Sequence, residues 1–277
     1  MGLRISTNVA SLNAQKNLVG TKHQLERSLA RLSSGYRINQ AADDAAGLAI
    51  SEKLKGQIKG LYQAGRNAQD GVSLVQVAEG GLNEVSSMLI RLRELAIQAS
   101  SDTIGDTERK FIDVEYQQLK SEVQRIAEVT EYNGTDLLNG TGGIMDIQVG
   151  IHNDPFKDRI SFNSAAADAS LEALGIVAES VASKQGAQLS LSRVDDAIVS
   201  VNAIRANFGA LQNRLQSTIA NISIFNENLS AANSRIRDTD IAAETAELTR
   251  NQILMRAGVS VLGQANQTSQ MALSLLE

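Results

Sequence analysis

The sequence predicts a mainly α fold, a long antiparallel helical coiled-coil rod with a small β-hairpin region and paired N- and C-terminal helices. Three observations carry this expectation. Apolar residues recur in alternating steps of four and three, the period that buries one helix stripe against a partner. Proline, the strongest helix breaker, occurs once in 277 residues, at Pro155. Aromatics are 3% of the chain and tryptophan is absent, so small aliphatic side chains must form the core. Such side chains suit helices that approach closely.

Each element can be justified in order. Ala14, Leu18, Leu25, Leu29 and Leu32 give a first amphipathic helix. The stretch LSSGYRINQAADDAAG, Leu32 to Gly47, then interrupts it with a Gly-Tyr-Arg turn and two adjacent aspartates. Asp44, followed by AAGLAI, reads as the start of the next helix, where an acid meets the positive end of the macrodipole. That helix runs from about Asp44 to Ala99, roughly 80 Å at 1.5 Å per residue. One stripe is Leu54, Ile58, Leu61, Gly65, Ala68, Val72, Val75; a second is Leu74, Val77, Gly81, Val85, Met88, Leu92, Leu95, Ala99. Gly80 and Gly81 each cost about 1 kcal/mol against alanine. The unbroken period implies that packing overrides this cost, with the glycines letting helices approach each other.

SSDTIGDTER, Ser100 to Arg109, is a loop of capping and turn residues, and its shortness makes the flanking helices antiparallel neighbours. Ile112, Tyr116, Leu119, Val123 and Ile126 form the next stripe. Asn-Gly pairs at 133 and 139 signal tight turns. IMDIQVGI and DRISFN alternate on either side of His152 to Pro155 and read as a β-hairpin. Residues 164–189, rich in alanine and serine, read as a weakly patterned connector. A third heptad region runs Leu191, Val194, Ile198, Val201, Phe208, Leu211, Leu215, Ile222, Leu229. Beyond RIRDTD the last helix carries Met255, Leu262, Ala265, Ala272 and Leu276. Polar breaks near 33–43 and 235–240 set both ends apart from the middle, which suggests two layers, each assembled from both halves of the chain.

Composition excludes several function classes. Without cysteine there is no disulfide, thiol chemistry or thiolate metal site. Neither His23 nor His152 has a second ligand at metal spacing, and no Ser-His-Asp set can be placed. Asp43 and Asp44 are adjacent and do not share a helix face, so they read as helix-start acids rather than an acid–base pair. GTGG at 140–143 lacks the Lys-Ser/Thr of a phosphate loop. No enzyme, cofactor or metal is expected. Residues 1–40 carry six basic residues against one acid, but these are spaced and lack interleaved aromatics, so no nucleic-acid partner is expected. No run of 18 apolar residues would insert in a membrane, and no Sec-type signal peptide is seen. A helical polymer or adaptor and a monomeric coiled-coil scaffold both stay open. The unburied seams at both termini favour self-association.

The chain resembles bacterial flagellin over essentially its full length, in the short form that lacks variable outer domains. LSSGYRINQAADDAAG matches the family's N-terminal signature. RLRELAIQASSDT (Arg91–Thr103), the TEYNG turn, SRIRDTD (Ser234–Asp240) and SVLGQANQTSQMALSLL (Ser260–Leu276) are similar to their flagellin counterparts, in the same order. The resemblance implies a structural subunit of the extracellular flagellar filament. Such a subunit is exported unfolded by the flagellar type III apparatus and self-assembles into a helical tube for swimming motility. The alternative is a hook–filament junction protein of the same apparatus.

The resemblance also implies two domains: 1–43 with 236–277 as the inner terminal-helix domain, and 44–235 as the outer rod with a β-hairpin region at about 140–163. Filament assembly falls to the terminal helices through Leu18, Leu25, Leu29, Leu32, Met255, Leu262, Ala265 and Leu276. Gly35, Arg37, Asn39, Asp43 and Asp44 form a spoke, with Arg37 expected to pair with an acid. An export chaperone would mask the C-terminal helix around Ile253–Leu276, and filament cap and hook-junction proteins are further partners. A flagellin-sensing Toll-like receptor would contact Arg91, Leu95 and Glu115. A thinner, smoother filament than that of multi-domain flagellins is expected.

Overall fold

The computed structural model describes residues 7–274, and side chains through residue 267. In chain order the elements are α1 (Val9–Ser34), α2 (Ala45–Ser100), α3 (Asp106–Val129), β1 (Glu131–Tyr132), β2 (Thr135–Asp136), β3 (Ile144–Gln148), β4 (Arg159–Asn163), a 3-10 turn (Ser164–Ala167), α4 (Lys184–Arg237) and α5 (Ile241–Ser274). The mainly α expectation holds, with two small antiparallel strand pairs. The chain divides into two compact units: residues up to Gly56 with those from Asn228 onward, and Gln57–Glu227.

In the Gln57–Glu227 unit, α3 and α4 both run antiparallel to α2. Arg91 bonds Glu115 while Arg109 reaches back to Ala99, and Arg93 bonds Asp195 while Ile222 touches Gly65. The core is one continuous aliphatic seam from Ala68 to Ala99, closed by Tyr116, Val123 and Ala127 of α3 and by Val194, Val201, Phe208 and Leu215 of α4. Leu74, Val85, Leu92, Leu95 and Ala99 of the expected second stripe are buried, whereas Val77 is exposed. Ala78, Leu82, Leu89 and Ala96 are buried beside that stripe and widen the apolar face.

α2 passes through Gly80-Gly81 without a break. The expected reason, close approach of helices, is only partly right. A Cβ on Gly81 would stand 2.7 Å from Thr130 Oγ1 and 2.9 Å from Leu138 Cδ1, and one on Gly71 would stand 2.5 Å from Ile147 Cδ1 of β3. These glycines admit the hairpin region. Gly65 alone meets α4, at an ordinary 3.7 Å, and Gly56 and Gly80 face open space.

β1 and β2 are joined at Asn133-Gly134, both at positive φ (51° and 75°), as a two-residue hairpin turn requires. β3 and β4 pair from Ile144↔Asn163 to Gln148↔Arg159, around the expected turn. Their inward residues, Ile147, Ile160 and Phe162, join the core.

Residues 164–189 are not a loose connector. Ala167, Ala169, Leu174, Ile176 and Val181 are buried, and α4 already begins at Lys184. Polar side chains of α3 hold the segment's backbone. Lys120 Nζ donates to the Val177 and Glu179 carbonyls at 2.8 Å each, and Asp113 Oδ1 accepts from Val181 N at 2.7 Å. Gln124 Oε1 accepts from Leu171 N at 3.0 Å. Burial pushes the Lys120 pKa down, while Asp113 and Glu179 hold it up in part.

Candidate functional site

The terminal helices form an antiparallel pair. α1 is capped by Asn8, whose side chain accepts from Ser11 N at 3.0 Å, and α5 by Asp240, which accepts from Ala242 N at 2.9 Å. Along the pair, Asn8 Nδ2 donates to Ala265 O at 2.8 Å, Leu18 packs over Gly258, and Arg31 meets Glu244 at 3.6 Å. Leu18, Leu25 and Leu32 of α1 and Met255, Leu262 and Ala265 of α5 lie half-buried along this seam. Leu29 departs from the expectation. It is 49% exposed, at the solvent edge of the seam. Leu276 lies outside the described residues. Outward faces carry Val9, Leu12, Val19 and Leu29 on α1, and Ile241, Ile253, Leu254, Val259 and Val261 on α5. Each helix buries one stripe and leaves several other apolar side chains exposed.

The spoke residues come together where α1 ends and α4 gives way to α5. Gly35 ends α1 in the left-handed conformation, φ 74°, with its N–H on Arg31 O at 2.8 Å. The two polar breaks then pair as a short antiparallel bridge, Tyr36↔Asp238. Arg37 N donates to Arg237 O at 2.7 Å, and Thr239 N donates to Gly35 O at 3.0 Å. Asp43 Oδ2 accepts from Asn39 N and Gln40 N at 3.1 and 3.0 Å. Those N–H groups, Gln40 first, hold its pKa below the usual carboxylate range. Asp44 Oδ1 accepts from Gly47 N at 2.8 Å and so caps α2. Asn39 Nδ2 donates to Ala30 O and to Ser34 Oγ. The adjacent aspartates therefore serve two backbone turns.

Among the described residues Arg37 does not pair with an acid. Its guanidinium donates to Ile236 O at 2.6 Å. The arginine that meets a carboxylate is Arg237, which bonds Glu52 and lies over the Tyr36 ring at 4.6 Å. Its hydrogen bond holds the Glu52 pKa down. The sequence reading gave Arg237 no role, because its partners lie about two hundred residues away and leave no local spacing signal. The same holds for Ser51, buried and bonded to Asn233 Oδ1 at 2.8 Å.

Arg91 and Glu115 meet on the surface through bonds of 2.9 and 3.1 Å, and Arg91 also bonds Glu94 at 2.9 Å. These carboxylates, Glu94 first, raise the Arg91 pKa. Leu95 is 1% exposed and belongs to the α2 core seam, so its side chain offers no contact surface in the folded chain. His23 is exposed beside Glu26. Among the described residues, no group of three or more His, Cys, Asp or Glu could hold a metal ion. Nor is any described helix long and apolar enough to cross a membrane. The geometry offers helix faces for association.

Comparison with known proteins agrees with these features. The sequence model described as bacterial flagellin N-terminal helical region matches residues 5–142, and that described as bacterial flagellin C-terminal helical region matches 191–276. The chain is 43% identical to a flagellin of Halalkalibacterium halodurans over 272 residues, 98% of this chain and 99% of that one. It is 41% identical to the flagellar filament 30.7 kDa core protein of Treponema maltophilum, over 98% of this chain and 99% of that one. The crystal structure of Bacillus cereus flagellin is similar with a TM-score of 0.51 and 31% identity, covering 57% of this chain and 88% of that one. Two family matches in chain order, with relatives of nearly equal length, establish that this chain belongs to the bacterial flagellin family.

Proposed function

We propose that the chain is a structural subunit of the bacterial flagellar filament, an extracellular polymer built by self-association of its terminal helices. The observation that carries this is the set of large apolar side chains left exposed on both helices of the α1–α5 pair. A two-helix pair that buries one stripe and leaves such side chains in water gains by having further helices cover them. Copies of the same chain supply identical pairs, and a head-to-tail contact between them that does not close gives an open helical polymer. The relatives named as flagellins and as a filament core protein support the same reading.

In this reading residues 1–43 with 236–277 form the inner, tube-building domain and residues 44–235 the outer rod. Leu18, Leu25, Leu32, Met255, Leu262 and Ala265 close the pair, and Leu29 serves contacts between subunits. Leu276 is assigned to the same assembly from the family resemblance. The chain passes the flagellar type III apparatus unfolded, an export chaperone holds the C-terminal helix, and cap and hook-junction proteins adjoin the finished polymer. A flagellin-sensing Toll-like receptor would meet the Arg91–Glu115 pair, with Leu95 supporting that surface from beneath. No catalytic activity is assigned. The hook–filament junction protein is the disfavoured alternative.

Seeded polymerisation followed by electron microscopy tests the proposal. Full-length chain should extend seeds, and chain lacking residues 242–277 should not. Absence of growth from full-length chain on competent seeds would move the assignment to the junction protein.

A further inference from the structure

In α1 and in the part of α5 whose side chains are described, two residues are buried, and both are polar: Ser28 and Asn251. Asn251 has 0% exposure, and neither its Nδ2 nor its Oδ1 has a hydrogen-bond partner among the described residues. It occupies the seam between Leu248 and Met255. The register set by Leu18 over Gly258 and Arg31 at Glu244 puts it level with Leu25. The heptad pattern calls for an aliphatic residue at this best-shielded point. Asparagine instead brings two donors and an acceptor that nothing satisfies, and burying such a group unpaired weakens the contact that buries it. Buried Ser51 differs, since its hydroxyl bonds Asn233.

We propose that Asn251 is an assembly-determining residue, whose unmatched buried carboxamide keeps the α1–α5 pair easily separated in the free chain. The pair is then held closed only where second copies of the chain cover its outer apolar faces. The inference rests on the filament-subunit reading and names one residue whose burial weakens the closed pair. A leucine here would remove the unmet hydrogen bonds and restore the stripe, and the free chain would close its own ends before any second copy arrived.

Amide hydrogen exchange read by mass spectrometry on the full-length monomer tests this. Asn251→Leu should slow exchange in α1 and α5 by about tenfold and leave α2–α4 unchanged. Asn251→Ala removes the amide without adding volume and guards against misfit of the larger side chain. It should slow exchange more than Thr249→Ala, a matched helix-propensity control on the exposed face of α5, since threonine and asparagine rank together as helix formers. Exchange in Asn251→Ala equal to or faster than in Thr249→Ala overturns the proposal, whatever Asn251→Leu does. Seeded growth of the unaltered chain is scored separately. Its failure would overturn the filament reading, whereas the exchange result bears on Asn251 alone.

Discussion

Thr130 lies directly over Gly81, so close that a Cβ on the glycine would stand 2.7 Å from its hydroxyl oxygen. The threonine cannot easily give way, because Oγ1 donates to Ile126 O at 2.7 Å. Gly80, one residue earlier, has nothing within 4 Å of its own Cβ position. Neighbouring glycines should therefore respond oppositely to the same change. Gly80→Ala should stabilise by about 1 kcal/mol through helix propensity. Gly81→Ala should destabilise by about 1–3 kcal/mol, because overpacking exceeds the propensity gain. Thermal unfolding followed by circular dichroism measures both, and equal shifts of the same sign would refute the packing account.

Tyr116 makes stability fall in alkali. It is fully buried, its hydroxyl has no hydrogen-bond partner of normal geometry, and burial pushes its pKa up to about 12, with Ser190 opposing slightly. The folded chain keeps a proton that the unfolded chain releases near pH 10, so stability is lost as pH rises from 10 toward 12. The loss is on the order of 2 kcal/mol when complete. Tyr116→Phe should melt like the parent at neutral pH and show a shallower decline above pH 10. A parallel decline in both proteins would assign the alkaline sensitivity elsewhere.

Helix extents and antiparallel order were legible in the sequence because a heptad repeat is a local signal that survives even two glycines. The width of the buried face was less so. Val77 and Ala78 are both apolar, and only the partner helices decide which one is buried. Lys120, Asp113 and Gln124 look like a solvated stripe of α3, yet they secure the backbone of residues 171–181. That segment has no periodicity because its packing follows an irregular path, so its buried residues leave only a weak pattern in the sequence. At the spoke, capping by Asp44 was legible because it acts three residues away. The Arg237–Glu52 and Ser51–Asn233 pairs were not, since each joins residues more than 180 apart in sequence.

Gly35 should accept only residues that tolerate the left-handed region. Its Cβ position is open, so the constraint is the backbone alone, φ 74°. Gly35→Ala should cost about 1–2 kcal/mol locally, whereas Gly35→Asn should cost less. Amide exchange at the end of α1 and at the Tyr36–Asp238 bridge reads this directly. Equal acceleration in both variants would mean that the turn is not held in that conformation.

Leu95 and Arg91 lie one helical turn apart on α2 and should fail in different ways. Leu95→Ala removes a side chain from the seam and should destabilise by about 2–5 kcal/mol, lowering every activity that needs a folded chain. Arg91→Ala breaks only exposed ion pairs and should leave the melting temperature within error. If the Arg91–Glu115 surface is a receptor contact, Arg91→Ala monomers should lose activation in a Toll-like receptor reporter cell at unchanged stability, and Glu115→Ala monomers should follow. A receptor that reads the leucine directly would respond to Leu95→Ala well below its melting temperature and ignore Arg91→Ala. That outcome would require α2 to expose its core seam on binding, a rearrangement whose cost scales with the apolar area unburied from Leu92 to Ala99.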